Sequence, residues 1–248
     1  MLILNADDWG RDGDTTDRTL ECFQHRSISS ASAMVFMKDS ERAAELAHSS
    51  NLDCGLHLNL TTEFSARGVP ARLLEHQKAL TRFLRGNRFA QVLYHPGLSQ
   101  SFEYVTRAQR DEFCRIYGTE PRRVDGHHHM HLCTNVLAQK LLPAGITVRR
   151  SFSFAQGEKQ FLNRAYRRVV NRQLARRHRI TDFFFSLPPL DPPERLRKIF
   201  SLAKTFTVEV ETHPVDLKEH AFLLSDQFLR LAGDTPVARC YALPNGKR

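Results

Sequence analysis

The sequence lacks most of the features that mark membrane, secreted or disulfide-rich proteins. No apolar run approaches the roughly 18 residues of a membrane-spanning helix, and the amino terminus has no basic segment, long apolar stretch or cleavage site of a signal peptide. The cysteines are scattered and form no C-x-x-C pair, so neither a disulfide framework nor a zinc ribbon is predicted. They are Cys22, Cys54, Cys114, Cys133 and Cys240. These absences predict a protein of a reducing compartment, the cytoplasm.

Acidic residues are the minority charge. In 248 residues, 27 Asp and Glu face 36 Lys and Arg, which gives a formal charge of +9. With 41% hydrophobic and 25% charged residues, the composition is otherwise that of an ordinary globular protein. The length can bury the core of one α/β barrel or of two small domains. No internal repeat or low-complexity linker divides the chain, so we predict one domain over residues 1–248.

Short β-type runs alternate with longer helical patterns, which is typical of βα units with a parallel sheet. The predicted strands are 2–6, 31–36, 53–58, 123–126, 146–149, 182–185 and 207–211, with 237–240 as a candidate eighth. The predicted helices are 15–24, 40–48, 106–117, 135–142, 159–177 and 193–203. The turn after the first strand lacks G-x-G-x-x-G, which disfavours a doubly wound dinucleotide-binding fold. We therefore predict an α/β fold: a single-domain (β/α) barrel of distorted or incomplete TIM type.

One long segment interrupts this alternation. Residues 61–105 are far longer than an ordinary connection and carry several aromatic residues and prolines. We interpret this excursion as a cover for a functional site, and we expect substrate choice to reside in it.

Residues that bind metals or transfer protons follow most of the predicted strands. They are Asp7 and Asp8 after the first strand, His57 after the third, His127 to His131 after the fourth, Arg149 after the fifth and His213 after the seventh. The βα loops of a parallel barrel share one face, so we expect these side chains to gather there. Any one of them alone has an ordinary explanation, such as a solvated turn for the acids or a hydrogen-bonded core residue for a histidine.

The most unusual segment of the chain is VDGHHHMH at residues 124–131, with four histidines in five positions. Neutral imidazole is the commonest metal ligand in proteins near pH 7. Asp125 lies two residues before His127 on the same strand face, where it could orient an imidazole ring. His127 is best placed at the strand end, and His131 faces the same way if a helical turn begins there.

Strand alternation places His57 and Asn59 on the face opposite the neighbouring leucines of the third strand. The adjacent carboxylates Asp7 and Asp8 would push their pKa values apart, so one can bind a metal while the other takes a proton. Two histidines and one carboxylate leave positions for water, which is the pattern of a hydrolytic metal site.

Two further strand ends carry groups that suit such a site. Arg149 could hold the catalytic carboxylate in its ionised form. His213, beside the rigid Pro214, is a suitable general acid, although an ordinary strand-terminal histidine explains its position equally well.

With these residues identified, the sequence resembles the YdjC-like carbohydrate deacetylases, the family of chitooligosaccharide deacetylase. The resemblance rests on three motifs that follow one another in the family's order. They are NADDWG at 5–10, GLHLNLT at 55–61 and DGHHHMH at 125–131, and the match continues through Arg149 and His213-Pro214. The chain departs from the family at Trp9, where Phe is usual, and at Val215, where Gly often follows His-Pro.

The resemblance implies a distorted barrel that hydrolyses an N-acetyl group on an amino sugar or oligosaccharide. It implies a divalent metal commonly taken as Mg²⁺, with Zn²⁺ or another transition metal left open, bound by Asp8, His57 and His127. It further implies that Asp7 is the general base and that His213 protonates the departing amine. Metal and backbone donors would stabilise the oxyanion.

The charge excess is concentrated at residues 159–181, which contain eight Lys or Arg and no acid. Arg164, Arg168 and Arg172 recur every four residues, and Val169, Val170 and Leu174 belong to a roughly opposing apolar stripe. An outer barrel helix with a solvated basic face explains this pattern, and we favour that interpretation. The alternative is attraction to an anionic membrane, a lipid-linked sugar or a polyanionic glycan.

Two other function classes stay open from the sequence. A nucleic-acid-binding or membrane-binding protein without catalysis would explain the charge, but not the acids and histidines at the strand ends, and no nucleic acid partner is expected. A metal-dependent phosphoesterase could use the same residues, although no phosphate-cradling glycine-rich loop is present. The sequence leaves a homodimer open.

Overall fold

The computed structural model describes residues 1–153, 161–233 and 235–243. Its strands are β1 (Leu2–Trp9), β2 (Ser30–Ala33), β3 (Cys54–Leu58), β4 (Arg123–Gly126), β5 (Thr147–Val148), β6 (Phe183–Ser186) and β7 (Val208–Thr212). They correspond one by one to the seven predicted strands. The strands form one sheet with the order β5-β4-β3-β2-β1-β7-β6, and the pairs β1 with β7, β3 with β4 and β6 with β7 are parallel. The predicted α/β fold is therefore confirmed.

Helices connect these strands. They are α1 (Gly13–Gln24), α2 (Ser40–Ser50), α3 (Ala71–Gly86), α4 (Ser99–Tyr117), α5 (Thr134–Ala138), α6 (Phe161–Ala175), α7 (Pro193–Leu202), α8 (Leu217–Leu223) and α9 (Asp226–Ala232). All six predicted helices are present, although residues 159 and 160 lie outside the described residues. Among the helices that the structure describes, none combines the length and the apolar character that crossing a membrane requires.

Among the described residues, three helices were not predicted: α3, α8 and α9. The sequence does contain a signal for α3. Inside the excursion, α3 buries Leu73, Leu80 and Leu84 at helical spacing, with a polar Gln77 between them. The predicted helix at 106–117 begins earlier, at Ser99. The excursion is therefore mostly helical.

β5 and β6 are the two edge strands of the sheet. The described backbone contacts between their segments are an isolated bridge and single hydrogen bonds. An isolated parallel bridge pairs Thr147 of β5 with Arg179, four residues before β6, and Val148 N–H donates to the Arg179 carbonyl at 2.9 Å. Further along, Ser153 N–H donates to the Phe184 carbonyl at 2.8 Å. A bridge in place of a strand ladder is what an incomplete barrel predicts, so this part of the prediction is also confirmed.

The chain divides into two compact units by its internal contacts. The first unit comprises Met1–Asp7, Asp14–Ala31 and Thr147–Arg248, and the second comprises Asp8–Gly13 and Ser32–Ile146. The prediction of one domain over residues 1–248 stays a prediction.

In the first unit, β1 and β7 pair in register and alternate between two faces. Leu2 and Leu4 lie opposite Val208 and Val210, and these side chains are fully buried in an apolar cluster with residues of α7, α8 and α9. On the other face of the same strands, Glu209 is a polar residue with no solvent exposure. The candidate eighth strand is reduced to an isolated bridge between Leu2 and Val237.

In the second unit, β3 and β4 pair so that His57 lies opposite Asp125 and Leu56 lies opposite Val124. Leu56, Leu58 and Val124 are buried. The alternation predicted for β3 is thus present: its leucines serve packing, and the histidine is directed to the other face with Asp125.

Candidate active site

The end of β1 has an unusual backbone that is centred on Asp8. Asp8 has φ of 66°, in the left-handed region, which costs a non-glycine residue free energy and breaks the alternation of the strand. Its carbonyl accepts from Arg11 N–H at 3.0 Å, and Arg11 Nη1 donates to Asp8 Oδ2 at 2.8 Å. The turn thereby fixes one carboxylate oxygen and leaves the other directed elsewhere.

That second oxygen, Asp8 Oδ1, lies close to two imidazole nitrogens. His57 Nε2 is 3.2 Å away and His127 Nδ1 is 2.9 Å away. The three side chains are almost fully buried, and these donor atoms lie within 4.8 Å of one another. In the described part of the chain, Asp8 Oδ1 nevertheless has no hydrogen-bond partner of standard geometry.

The orientation of His57 is set by a hydrogen-bonded chain behind it. Its Nδ1 donates to Asp125 Oδ1 at 2.7 Å, and Ser32 Oγ donates to Asp125 Oδ2 at 2.5 Å. Asp125 and Ser32 have no solvent exposure. A carboxylate that holds one ring nitrogen of a histidine fixes its tautomer and turns the other nitrogen outward, as metal-binding histidines require.

The charge state of this group follows from its surroundings. Burial raises the pKa of Asp8, but the adjacent imidazoles of His127 and His57 lower it by more, so the carboxyl pKa lies well below its usual range. Burial and the neighbouring His127 lower the pKa of His128 to about 4. Near pH 7, Asp8 is therefore an anion and His128 is neutral.

These residues fit a divalent metal. Two donor atoms bound at about 2.1 Å to one ion and separated by a right angle lie about 3 Å apart, close to the distances from Asp8 Oδ1 to His57 Nε2 and His127 Nδ1. A buried carboxylate oxygen without a hydrogen bond is otherwise costly, and a cation would compensate that cost.

Asp7, one residue earlier, has a contrasting environment in the first unit. Arg149 donates to both of its oxygens, with Nη1 to Oδ2 and Nη2 to Oδ1 both at 2.7 Å, and Asn5 Nδ2 donates to Oδ1 at 2.9 Å. The guanidinium is fully buried and lies over the Phe184 ring, 4.9 Å from its centroid. This places Arg149 against the carboxylate that the sequence predicted it would hold ionised.

Two acids of β7 complete the surroundings of Arg149, and they were missed in the sequence analysis. Glu209 Oε1 accepts from Arg149 Nε at 2.7 Å, and Glu211 Oε2 is 3.4 Å from Nη1. The sequence signal was available: two glutamates alternate with Val208 and Val210, so they share the strand face opposite the apolar cluster.

Asn59 and His131 occupy buried positions near the predicted metal ligands in the sequence. Asn59 Oδ1 accepts from Thr61 N–H at 3.2 Å and from Thr62 N–H at 2.9 Å, and its Nδ2 donates to the Thr62 carbonyl. Its side chain therefore shapes the turn after β3. His131 is fully buried against Gly126, where an added Cβ would lie 3.0 Å from it.

The start of the excursion contacts the histidine-rich segment. Thr61 Oγ1 and His128 Nδ1 are 2.8 Å apart, and Gln91 Nε2 donates to the His129 carbonyl at 3.3 Å. His128 and His129 have φ of 53° and 58°. Two consecutive residues thus adopt the left-handed conformation, which is unfavourable for residues that have a Cβ atom. These contacts hold that strained segment in place.

His213 directly follows β7 and is half-buried. Its backbone N–H donates to Glu219 Oε2 at 2.9 Å, and Thr212 Oγ1 donates to the same oxygen at 2.7 Å. In the loop that departs from the family pattern, Arg18 Nη1 donates to the Val215 carbonyl at 2.6 Å. The loop that carries His213 is therefore fixed at both sides.

The basic segment forms α6 as predicted, although its apolar stripe is narrower. Val170 and Leu174 are buried, but Val169, which was assigned to the stripe, is 62% exposed. Arg168 and Arg172 are exposed, so the basic face is open to solvent. Among the side chains of α6 that the structure describes, residues 163–175, Val170 and Leu174 are the buried ones, which accords with an outer helix.

The chain matches a known protein family. A family model described as YdjC-like protein matches residues 1–232. A carbohydrate deacetylase of Danio rerio is 32% identical over 157 residues, which are 60% of this chain and 49% of that protein. A chitooligosaccharide deacetylase of Serratia marcescens is 30% identical over 136 residues, 53% of this chain and 51% of that protein. The chain spans about half the length of the curated relatives it matches.

A solved structure supports the fold. A protein of Enterococcus faecalis V583, named as a candidate cellobiose-phosphate cleavage protein, superposes with a TM-score of 0.65 over 96% of this chain and 95% of its own. Its sequence is 18% identical, so the likeness concerns the fold alone.

Proposed function

Because the chain belongs to the YdjC-like family, we propose that it is a metal-dependent carbohydrate deacetylase that hydrolyses an N-acetyl group on an amino sugar or oligosaccharide. The observation that carries the proposal is the approach of His57 Nε2 and His127 Nδ1 to one buried oxygen of Asp8. The names of the relatives support the substrate class, and the donor atoms support the metal dependence.

Asp8, His57 and His127 would hold the metal, with Asp125 fixing the His57 ring. A divalent metal so bound lowers the pKa of water and polarises a carbonyl oxygen. The resemblance of the motifs implies Mg²⁺, but two imidazoles and one carboxylate form a donor set that suits Zn²⁺ or another transition metal better. We therefore propose a transition metal, and both metals belong in the test.

Asp7 would act as the general base. The attacking water gives its proton to the Asp7 carboxylate as its oxygen forms a bond to the acetyl carbon. Arg149 keeps Asp7 ionised and fixed in orientation through two hydrogen bonds of 2.7 Å. Since Asp7 precedes Asp8 in the chain, one strand end supplies both the base and a metal ligand.

The second half of the reaction breaks the amide C–N bond. The departing nitrogen must take a proton to leave as an amine, and His213 is our proposed donor. The products are acetate and the free amino sugar, so atoms and charge balance with one water consumed. Asn59 and His131 are proposed to shape the site, Asn59 through the turn it binds and His131 through its packing on Gly126.

Acetate release tests this function. The purified protein, stripped of metal and then reloaded with Mg²⁺ or Zn²⁺, is assayed on N-acetylated mono- and oligosaccharides, with sugar phosphates as a second substrate class. We expect metal-dependent acetate release. Phosphate release without acetate would support the phosphoesterase instead, and no release of either would favour a protein without catalysis.

We also propose a location, an oligomeric state and a partner for the protein. A cytoplasmic location and a homodimer stay predictions. We further propose that the basic face of α6 binds an anionic membrane, a lipid-linked sugar or a polyanionic glycan.

A further inference from the structure

We infer that Tyr241, acting through Glu209, is a positioning residue that fixes Arg149 and thereby the base Asp7. This inference rests on the proposed function for its kinetic consequence, but not for its structural one. Tyr241 follows the last residue that the family model matches, residue 232. The family motifs therefore give no reason to assign it a role.

The two carboxylate oxygens of Glu209 bind different partners. Oε1 accepts from Arg149 Nε at 2.7 Å, and Oε2 accepts from the Tyr241 hydroxyl at 2.5 Å. Glu209 has no solvent exposure and Tyr241 has only 9%. A buried carboxylate needs donors on both oxygens, and here one comes from each partner.

The Nε contact determines what Arg149 can offer to Asp7. A guanidinium is planar, so a hydrogen bond at Nε fixes the plane in which Nη1 and Nη2 lie. Both of these nitrogens donate to Asp7 at 2.7 Å. Asp7 is consequently oriented by a chain of hydrogen bonds that begins at Tyr241.

The segment around Tyr241 is anchored on both sides of the tyrosine. Before it, Val237 pairs with Leu2, and Ala238 N–H donates to the Leu2 carbonyl at 2.8 Å. After it, Arg179 Nη2 donates to the Leu243 carbonyl. These backbone contacts fix the position of the Tyr241 ring. A residue that positions another side chain must itself be held in place.

The experiment compares Tyr241→Phe with Tyr117→Phe, which removes the hydroxyl of another buried tyrosine, at the end of α4. For Tyr241→Phe we expect kcat to fall about 10-fold, with KM and metal content unchanged, since one hydrogen bond to a charged group is lost. Tyr117→Phe should retain the wild-type kcat. Equal kcat in wild type and Tyr241→Phe would overturn the inference, as would a fall accompanied by loss of metal.

A double-mutant cycle tests whether Tyr241 acts through Glu209. In the Glu209→Gln background, Tyr241→Phe should cause little further loss of kcat. The reason is that the hydrogen bonds from Tyr241 through Glu209 to Arg149 are already altered in that background. If the losses of kcat in the two single variants added up in the double variant, Tyr241 would act independently of Glu209. That result would contradict the inference.

A spectroscopic measurement keeps the inference testable without turnover. The Arg149 Nε–H resonance is identified in ¹⁵N-edited spectra by its absence in Arg149→Lys. We expect it to shift and to exchange faster with water in Tyr241→Phe, but not in Tyr117→Phe. An unchanged resonance would overturn the inference whatever the activity. Failure of wild-type acetate release, with the expected shift present, would contradict only the proposed function.

Discussion

Two consecutive carboxylates of β1 have opposite environments. Asp7 accepts several hydrogen bonds, since Arg149 donates to both of its oxygens and Asn5 donates to Oδ1. Asp8 has one oxygen bound to Arg11, while the other faces two imidazoles without a hydrogen bond. Adjacent residues of one type thus have partners that suit different chemistry: in our proposal, Asp7 exchanges a proton and Asp8 binds a cation.

The partners differ in the same way. Around Asp7, the cation Arg149 contacts three carboxylates, those of Asp7, Glu209 and Glu211. The surroundings of Asp8 are imidazoles supported from behind by Asp125. We therefore expect substitutions around Asp7 to affect folding and proton transfer, and substitutions around Asp8 to affect metal binding.

The largest expected effect is on stability. Arg149→Ala leaves three buried carboxylates without their common cation, which should lower the free energy of unfolding by about 3–5 kcal/mol. Urea denaturation of the metal-free protein measures it, with Arg149→Lys, which keeps the charge, as the milder control. If the alanine variant proved as stable as wild type, the ion pairs of Arg149 would not contribute to folding.

The second effect is catalytic. Asp7→Asn should keep the metal but lower kcat by roughly 10²–10⁴-fold, the usual contribution of a general base. Metal analysis and acetate release on the same preparation measure both quantities. Near-native turnover with metal bound would remove Asp7 as the base, and lost metal would mean that the two carboxylates are not functionally separate.

The third effect is on metal affinity and should come from Asp125. Asp125→Asn weakens the support of the His57 ring and should lower metal affinity by about 10–100-fold. Competition with a chromogenic chelator measures this, and Asp53→Asn, at a half-buried position 3.8 Å from Arg123, is the matched control. Unchanged affinity would show that the ring is oriented without its carboxylate.

The smallest effect concerns a region outside this comparison. Replacing Arg164, Arg168 and Arg172 by Gln should weaken binding to anionic vesicles or glycans at low salt and leave acetate release unchanged. Cosedimentation with vesicles at low and high ionic strength measures it. Equal binding by wild type and variant at low salt would leave α6 as an outer helix with a solvated basic face.

Much of the fold could be predicted because local patterns agree with it. Short β-type runs that alternate with helical patterns predicted the seven strands, and alternation in β3 predicted the face on which His57 lies. Segments with mixed signals were missed: α3 has Gln77 in its buried face, and α8 is short and relies on Asp216, whose side chain caps Lys218 and Glu219 N–H.

The site was harder to predict where distant strands meet. Acids and histidines at strand ends predicted a metal site, and the family resemblance implied Asp8, His57 and His127 as its ligands; their donor atoms lie within 4.8 Å of one another. The contacts of Arg149 with Glu209 join residues 60 apart, and that of Glu209 with Tyr241 joins residues 32 apart. No local pattern contains such pairings, because they depend on strand order and on where the segment after α9 lies.

The central claim is that Asp8, His57 and His127 hold a metal on which deacetylation depends. The most direct test is acetate release from an N-acetylated chitooligosaccharide as metal is titrated into the stripped protein, for wild type and for His57→Ala. We expect wild-type activity to rise to a plateau at one metal per chain, and His57→Ala to stay inactive while folded. Equal acetate release by stripped and loaded wild type, or full activity in His57→Ala, would contradict it.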